Sequence, residues 1–198
     1  MRKWNPELWY WKTFITATSL TSNFCAVSSC SSGADAIGNA WEMIRRKDAD
    51  VVIAGGSEAP LCPIAVAGFN SLHALSKNND EPQKASRPFD AQRDGFVMGE
   101  GAGALVLEAL EHAEARGAEV LAEVAGYGMS GDAFHITAPP PDGYGAQQAM
   151  RMSLKHMGVE PDEVDYINAH GTSTIAGDLA ETRAIRTVFG DHADSISV

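Results

Sequence analysis

Two side chains among the 198 residues pair a reactive atom with a setting where it could act, Cys30 and His170. Cys30 sits in Val27-Ser28-Ser29-Cys30-Ser31-Ser32-Gly33, between a strand-like segment from Asn23 to Ser28 and a helical one. At a helix N-terminus, unpaired amides and the macrodipole favour a thiolate, the nucleophilic form of the side chain. Small neighbours leave room for a substrate, and Gly33 permits close backbone approach. Cys25, within the strand-like segment, and Cys62, beside Pro63 in an apolar loop, read as inert thiols. His170 follows the strand-like Val164-Asp165-Tyr166-Ile167-Asn168 and opens the loop Gly171-Thr172-Ser173-Thr174. In open α/β sheets, ligands meet the loops beyond strand carboxyl ends. The other five histidines lie in mixed or polar surroundings and take structural or surface roles by default. Cysteine and histidine together support nucleophilic catalysis, but sequence leaves open whether these two meet in space.

Alternating elements must position such a pair. From Ser31 to Lys47, Ala34, Ile37, Trp41 and Ile44 recur at three- and four-residue spacing, which predicts a helix with one buried face. Val51 to Ala54 reads as a buried strand ended by Gly55-Gly56, and Ile64 to Leu75 as a looser helix before a polar loop from Ser76 to Gly95. Ala104 to Leu107 and Val120 to Tyr127 read as strands flanking a charged helix from Glu108 to Arg116. Gly145 to Met157 and Asp178 to Phe189 read as helices. Strands interleaved with helices predict a layered α/β architecture. The C-terminal Ser195-Ile196-Ser197-Val198 reads as the start of a further strand, which suggests a truncated domain.

Composition narrows the function. Hydrophobic residues make up 44% of the chain, enough for a sizeable core. A formal net charge of -11 repels phosphate backbones and argues against nucleic acid. The longest cationic run, Arg45-Arg46-Lys47, is followed by Asp48 and Asp50 and reads as a solvated helix end. No apolar stretch approaches the roughly 20 residues of a membrane span. Three cysteines form neither an even disulfide set nor a metal-type pair, which points to a reducing compartment such as the cytoplasm. Residues 1–22, with Trp4, Trp9, Tyr10, Trp11 and Phe14, stay unassigned.

Two tempting motifs fail. Gly99-Glu100-Gly101-Ala102-Gly103 precedes a strand, whereas a phosphate-cradling loop follows one and opens a helix. Asp90, Gln92, Asp94 and Gly95 imitate a calcium loop, but its twelfth position is Gly101 rather than a bidentate glutamate. Asn168, His170 and Asp178 lack helical spacing and HExxH is absent, so no metal is expected.

Several ordered motifs carry a resemblance. Ser29-Cys30-Ser31-Ser32-Gly33-Ala34 and Asp48 to Glu58 resemble the active-site region of β-ketoacyl-acyl carrier protein synthases. Ser86-Arg87-Pro88-Phe89-Asp90, Arg93-Asp94-Gly95-Phe96, Gly99 to Ala102, Gly131 to Thr137 and Asn168 to Thr174 follow in that family's order. The resemblance covers about 23–198 and favours the type II branch.

The resemblance implies a thiolase-like αβαβα layered fold, here incomplete with parts of both halves, and a partial domain over 23–198 truncated at both ends. It implies fatty acid elongation by decarboxylative Claisen condensation. Cys30 would accept an acyl chain, and His170 would polarise the malonyl thioester carbonyl. Thr172 and Thr174 match positions that bind the phosphopantetheine arm, Phe69 a pocket-side aromatic, and Thr137 a mobile active-site loop. Glu181 matches an acidic residue that organises the site. No resident cofactor is implied, since the arm arrives on acyl carrier protein, the expected partner of a homodimer. The family's lysine, second catalytic histidine and glycine-rich C-terminal segment fall outside this sequence, so the chain alone is expected to be inactive. A polyketide ketosynthase using the same residues is one alternative. A non-catalytic degenerate homologue is another, although retention of Cys30 argues against it.

Overall fold

The computed structural model describes residues 23–198; the unassigned aromatic segment 1–22 lies outside the described residues. Seven regular elements follow in order. Helix α1 spans Ser32–Arg45, strand β1 Val51–Glu58, helix α2 Pro63–Ser71 and strand β2 Gly101–Glu108. Helix α3 spans Leu110–Ala115, α4 Tyr144–Met157 and α5 Ile175–Phe189. The architecture is α/β, built as two packed clusters.

In the first cluster, β1 and β2 pair antiparallel from Val51 opposite Glu108 to Glu58 opposite Gly101. Helix α1 covers one face of this ladder, where Ala40, Ala54 and Leu107 are buried against Ile37, Trp41, Ile44, Val52 and Val124. The opposite face carries Ile53 and its ladder partner Val106, both exposed. β1 continues through Gly55 and Gly56 to Glu58 instead of ending at them, because both glycines keep their ladder partners, Ala104 and Gly103. Glu108 closes β2 and is not part of α3. On α1 the buried face centres on Gly38 and Ala40, while the expected core residue Ala34 is exposed.

The second cluster packs α4 on α5. Leu154, Ile185, Val188, Phe189 and Ile196 are buried together, with Met150, Val159, Val164 and Ile167 around them. Gly143 caps the N-terminus of α4 at φ 67, a conformation that disfavours any residue with a Cβ. A Cβ there would also run into the backbone of Ala180 and the side chain of Ala184, so the glycine sets the distance between the helices.

Three expected strands are absent as ladders. Asn23 to Ser28 and Val120 to Tyr127 have no paired neighbour among the described residues. Val164 to Asn168 is reduced to a parallel bridge between Tyr166 and Ser197, with Ile167 donating to the Ser197 carbonyl at 2.9 Å. A strand exists by inter-strand hydrogen bonding, so apolar alternation alone does not make one. No helix among the described residues is long and apolar enough to cross a membrane.

Phe189 is 7% exposed and fills the floor of the second cluster. Phe189→Ala is expected to cost about 3–5 kcal/mol through lost transfer energy and a residual cavity. Urea denaturation reads this directly, and a loss under about 1 kcal/mol would show that this cluster is not the packed core.

Candidate active site

The loop after His170 is built around a buried carboxylate. Asp178, in the first turn of α5, is 1% exposed. Its Oδ1 accepts from the Ser173 amide at 3.0 Å and its Oδ2 from the Phe89 amide at 2.7 Å. The Arg93 guanidinium lies 3.2 Å from Oδ2 and is itself mostly buried. Arg93 also donates to the carbonyls of Asp90, Thr174 and Ile175 at 2.8–3.1 Å. A charge removed from water must be paired and hydrogen-bonded, and Asp178 has both. The segment 87–95 is thereby fixed to the segment 173–175.

Ser173 makes the same junction from the other side. It is fully buried with φ 64, a left-handed conformation uncommon for a residue with a side chain. Its Oγ accepts from the Arg87 amide at 3.1 Å and its carbonyl from the Gly95 amide at 3.0 Å. Surrounding bonds thus hold a strained turn in place.

Glu181 sits one helical turn beyond Asp178 and grips the histidine itself. Its two carboxylate oxygens accept from the amides of His170 and Gly171 at 2.7 and 2.8 Å. This fixes the backbone of His170 while its side chain remains exposed. Thr172 and Thr174 share a hydroxyl–hydroxyl bond of 2.8 Å. Thr174 is also the N-cap of α5, its Oγ1 accepting from the Gly177 amide at 3.2 Å. N-capping is a structural task that Thr174 performs whatever it binds.

Cys30 lies in a short 3-10 turn, Ser29–Ser31, immediately ahead of α1, rather than at the first position of the helix. It is exposed and its thiol is free. Ser29, just before it, has φ 56, so the chain turns sharply to present the cysteine. The turn is laced by serines. Ser31 Oγ donates to the Ser28 carbonyl at 2.9 Å, Ser32 Oγ to the Ser29 carbonyl at 2.8 Å, and the Ser28 amide to Ser32 Oγ at 2.9 Å. Ser28 Oγ also donates to Asp35 Oδ2, and Tyr127 donates its phenol proton to Asp35 Oδ1. The Ser28 and Tyr127 bonds hold the Asp35 carboxyl below its usual range. Partial burial and the bond to Asp35 push the Tyr127 phenol up to about 12.

The remaining expected site residues are scattered. Phe69, on α2, is 37% exposed and meets Phe96 edge to face with centroids 5.1 Å apart. Thr137 lies exposed in an irregular segment, its amide donating to the His135 ring at 3.2 Å. Cys25 is exposed outside any strand, which corrects the strand setting expected for it, while Cys62 lies in the loop before Pro63 as the N-cap residue of α2. No hydrogen bond joins Cys30 to His170 among the described residues. Sequence reasoning missed Asp178, Arg93, Ser173, Asp35 and Tyr127 as site-building groups. A carboxylate among apolar helix positions, as in Gly177-Asp178-Leu179-Ala180, was the available signal for Asp178. An open cavity of about 350 Å³ lies beside the histidine loop, lined by Pro88, Phe89, Tyr166, Asn168 and Gly171 among others. Among the described residues, no cluster of three or more His, Cys, Asp or Glu could hold a metal ion.

Comparison with known proteins gives two family matches in succession. Residues 21–113 match the beta-ketoacyl synthase N-terminal domain, and residues 121–198 its C-terminal domain. The chain is 59% identical over 177 residues to 3-oxoacyl-(acyl-carrier-protein) synthase 2 of Rhizobium meliloti (strain 1021), covering 89% of this chain and 42% of that protein. It is 56% identical over 174 residues to the mitochondrial 3-oxoacyl-(acyl-carrier-protein) synthase of Arabidopsis thaliana, covering 87% of this chain and 38% of the relative. The chain therefore spans about two-fifths of the length of these curated relatives. Among solved structures, a type II polyketide acyl carrier protein in complex with its hexaketide-bound ketosynthase superposes with a TM-score of 0.82 at 46% identity. That match covers 84% of this chain and 41% of the other.

Two expectations follow from the geometry. Arg93→Met leaves the Asp178 carboxylate buried without its cation and is expected to cost about 3 kcal/mol of stability by chemical denaturation. A cost near zero would mean the two amides alone suffice. For Tyr127, the protonated phenol is the form the fold favours. Its stabilisation is complete below the ordinary tyrosine range near 10 and is lost as pH rises through about 12. A phenolate absorbance titration of parent minus Tyr127→Phe should show a component ionising near pH 12. A component at the ordinary value of 10.0 would contradict the bond to Asp35.

Proposed function

Because this chain belongs to the β-ketoacyl synthase family, whose thiolase-like α/β fold it shares in part, we propose that it carries the acyl-accepting half of a condensing site for fatty acid elongation. The observation that supports this best is the placement of Cys30, an exposed and unbonded thiol on a sharp turn at the head of α1.

In this reading the Cys30 thiolate attacks the thioester carbonyl of an acyl group carried by acyl carrier protein. The phosphopantetheine thiol leaves and the acyl chain stays on Cys30 as a new thioester. Malonyl-acyl carrier protein then enters, and its carboxylate departs as carbon dioxide. The carbanion left behind attacks the acyl-Cys30 carbonyl, forms the carbon–carbon bond and expels the Cys30 thiolate. His170 donates a hydrogen bond to the malonyl thioester oxygen as enolate charge develops there. Such a donor works best when it is fixed beforehand, and the two Glu181 bonds to the amides of residues 170 and 171 fix the backbone that carries it. Glu181 is a positioning residue in this scheme. Thr172 and Thr174 would meet the phosphopantetheine arm, with Phe69 and Thr137 at the pocket wall and loop. The arm arrives on the partner, so no resident cofactor is needed. The cytoplasm, where three free thiols persist, and a homodimer complete the proposal.

Polyketide extension is the second reading, favoured by the similarity to the hexaketide-bound ketosynthase. It uses the same residues, and the greater identity to the fatty acid enzymes places it second.

An acyl-mimicking epoxide inhibitor is expected to label Cys30, with Cys25 and Cys62 unmodified, when peptides of the intact protein are mapped by mass. Cys30→Ser should abolish transfer from acyl carrier protein. Label confined to Cys25 or Cys62 would remove the basis of the proposal.

A further inference from the structure

Asp35 has no part in the chemistry proposed above, yet its carboxylate joins the Cys30 turn to a side chain far away in sequence. One carboxylate oxygen accepts from Ser28 Oγ, and Ser31 Oγ, whose proton points to the Ser28 carbonyl, lies 3.4 Å from the same oxygen. These two serines bracket the Ser29–Cys30 pair. The other oxygen accepts from Tyr127, a residue 92 positions away in sequence. Asp35 lies within the first turn of α1. Its own carbonyl is bonded by Asn39 Nδ2 at 2.8 Å, so the helix itself is secured independently of the carboxylate.

Tyr127 is anchored as firmly on its far side. Its ring lies directly over the α-carbon of Gly38, one turn along α1, where any Cβ would overlap the ring. Its carbonyl meets His156 Nδ1 of α4 at 2.6 Å, and the His156 ring stacks on Trp41 of α1 with centroids 5.6 Å apart. Gly126 and Gly128, on either side, are pressed against the α4 backbone at Ser153 and Ala149. The tyrosine is therefore wedged between α1 and α4 with its hydroxyl aimed at Asp35.

This arrangement serves the turn. Ser29 holds a left-handed conformation that the local sequence does not favour, since neither it nor its neighbours are glycine. The Ser32 hydroxyl holds the Ser29 carbonyl from α1, and the Asp35 carboxylate ties the flanking Ser28 side chain to the same helix and to Tyr127.

We propose that Asp35, braced by Tyr127, is a positioning residue that fixes the Cys30 turn and so aims the thiol at an incoming acyl thioester. The proposal rests on Cys30 being the acyl acceptor. It extends that reading by tying the aim of the thiol to the packing of α4, through side chains that touch neither substrate nor sulfur.

Single-turnover acylation of the intact protein by acyl-acyl carrier protein tests this, because it separates the first-order transfer constant from the half-saturating carrier concentration. Asp35→Ala is expected to lower the transfer constant by about tenfold to a hundredfold, the scale of a small misplacement of a reacting atom, with half-saturation unchanged. Tyr127→Phe should act in the same direction with a smaller effect. Asp35→Asn, which keeps an oxygen acceptor for one hydroxyl, should recover part of the loss. A general loss of folded protein would lower the active fraction without slowing transfer in the molecules that remain. If Asp35→Ala does not fold, Tyr127→Phe and Asp35→Asn carry the test. Transfer constants equal to the parent's in folded variants would overturn the role of Asp35 and leave the acyl-acceptor reading intact. A parent protein that takes no acyl group on Cys30 would overturn both.

Discussion

A single buried negative charge organises the loop that carries His170. Asp178 is removed from water at the start of α5, and the chain must gather compensation from wherever it can reach. Arg93 and the Phe89 amide come from one loop and the Ser173 amide from another. The charge thus converts two irregular segments, distant in sequence, into one rigid shelf. His170 stands on the edge of that shelf, with Glu181 one turn along the same helix taking up its backbone. Helix α5 is in effect the tool that shapes the histidine loop, and its apolar face supplies the leverage by burying Ile185, Val188 and Phe189 in the second cluster.

The cysteine is mounted by a different principle. No buried ion fixes it; a lattice of serine hydroxyls and one partly exposed carboxylate does. Hydroxyl bonds of this kind each contribute only about 1 kcal/mol, and they act together because they share the same few backbone atoms. Cys30 and His170 therefore rest on supports of different kinds. The histidine is tied to a packed helix pair, and the cysteine to a turn whose geometry depends on side-chain contacts across α1.

The legible parts of the sequence were those governed by local periodicity. The apolar spacing from Ile37 to Ile44 gave α1, and the runs at Val51 and Ala104 gave the ladder, to within a few residues. The segments Asn23 to Ser28, Val120 to Tyr127 and Val164 to Asn168 failed as strands because pairing is a property of two segments, and one segment cannot reveal it. The candidate site divides in the same way. Cys30 and His170 stood out because small or flexible neighbours surround a reactive side chain. Asp178 and Asp35 did not, because a carboxylate three residues into a helix looks like an ordinary polar position until the partner that reaches it is known. The left-handed turns at Ser29 and Ser173 were equally hidden, since serine does not advertise them as glycine would.

The paired hydroxyls of Thr172 and Thr174 have a consequence in proton counting. Two hydroxyls hold two protons and four lone pairs. Their mutual bond consumes one of each, and the Gly177 amide takes another lone pair. What remains for any visitor is a single proton with two acceptor sites, and that proton can sit on either oxygen according to which way the internal bond points. A guest bearing one carbonyl and one N–H would be satisfied completely, whereas a guest offering two carbonyls would leave one of them dry. The task of capping a helix thus leaves this pair of hydroxyls one free proton between them.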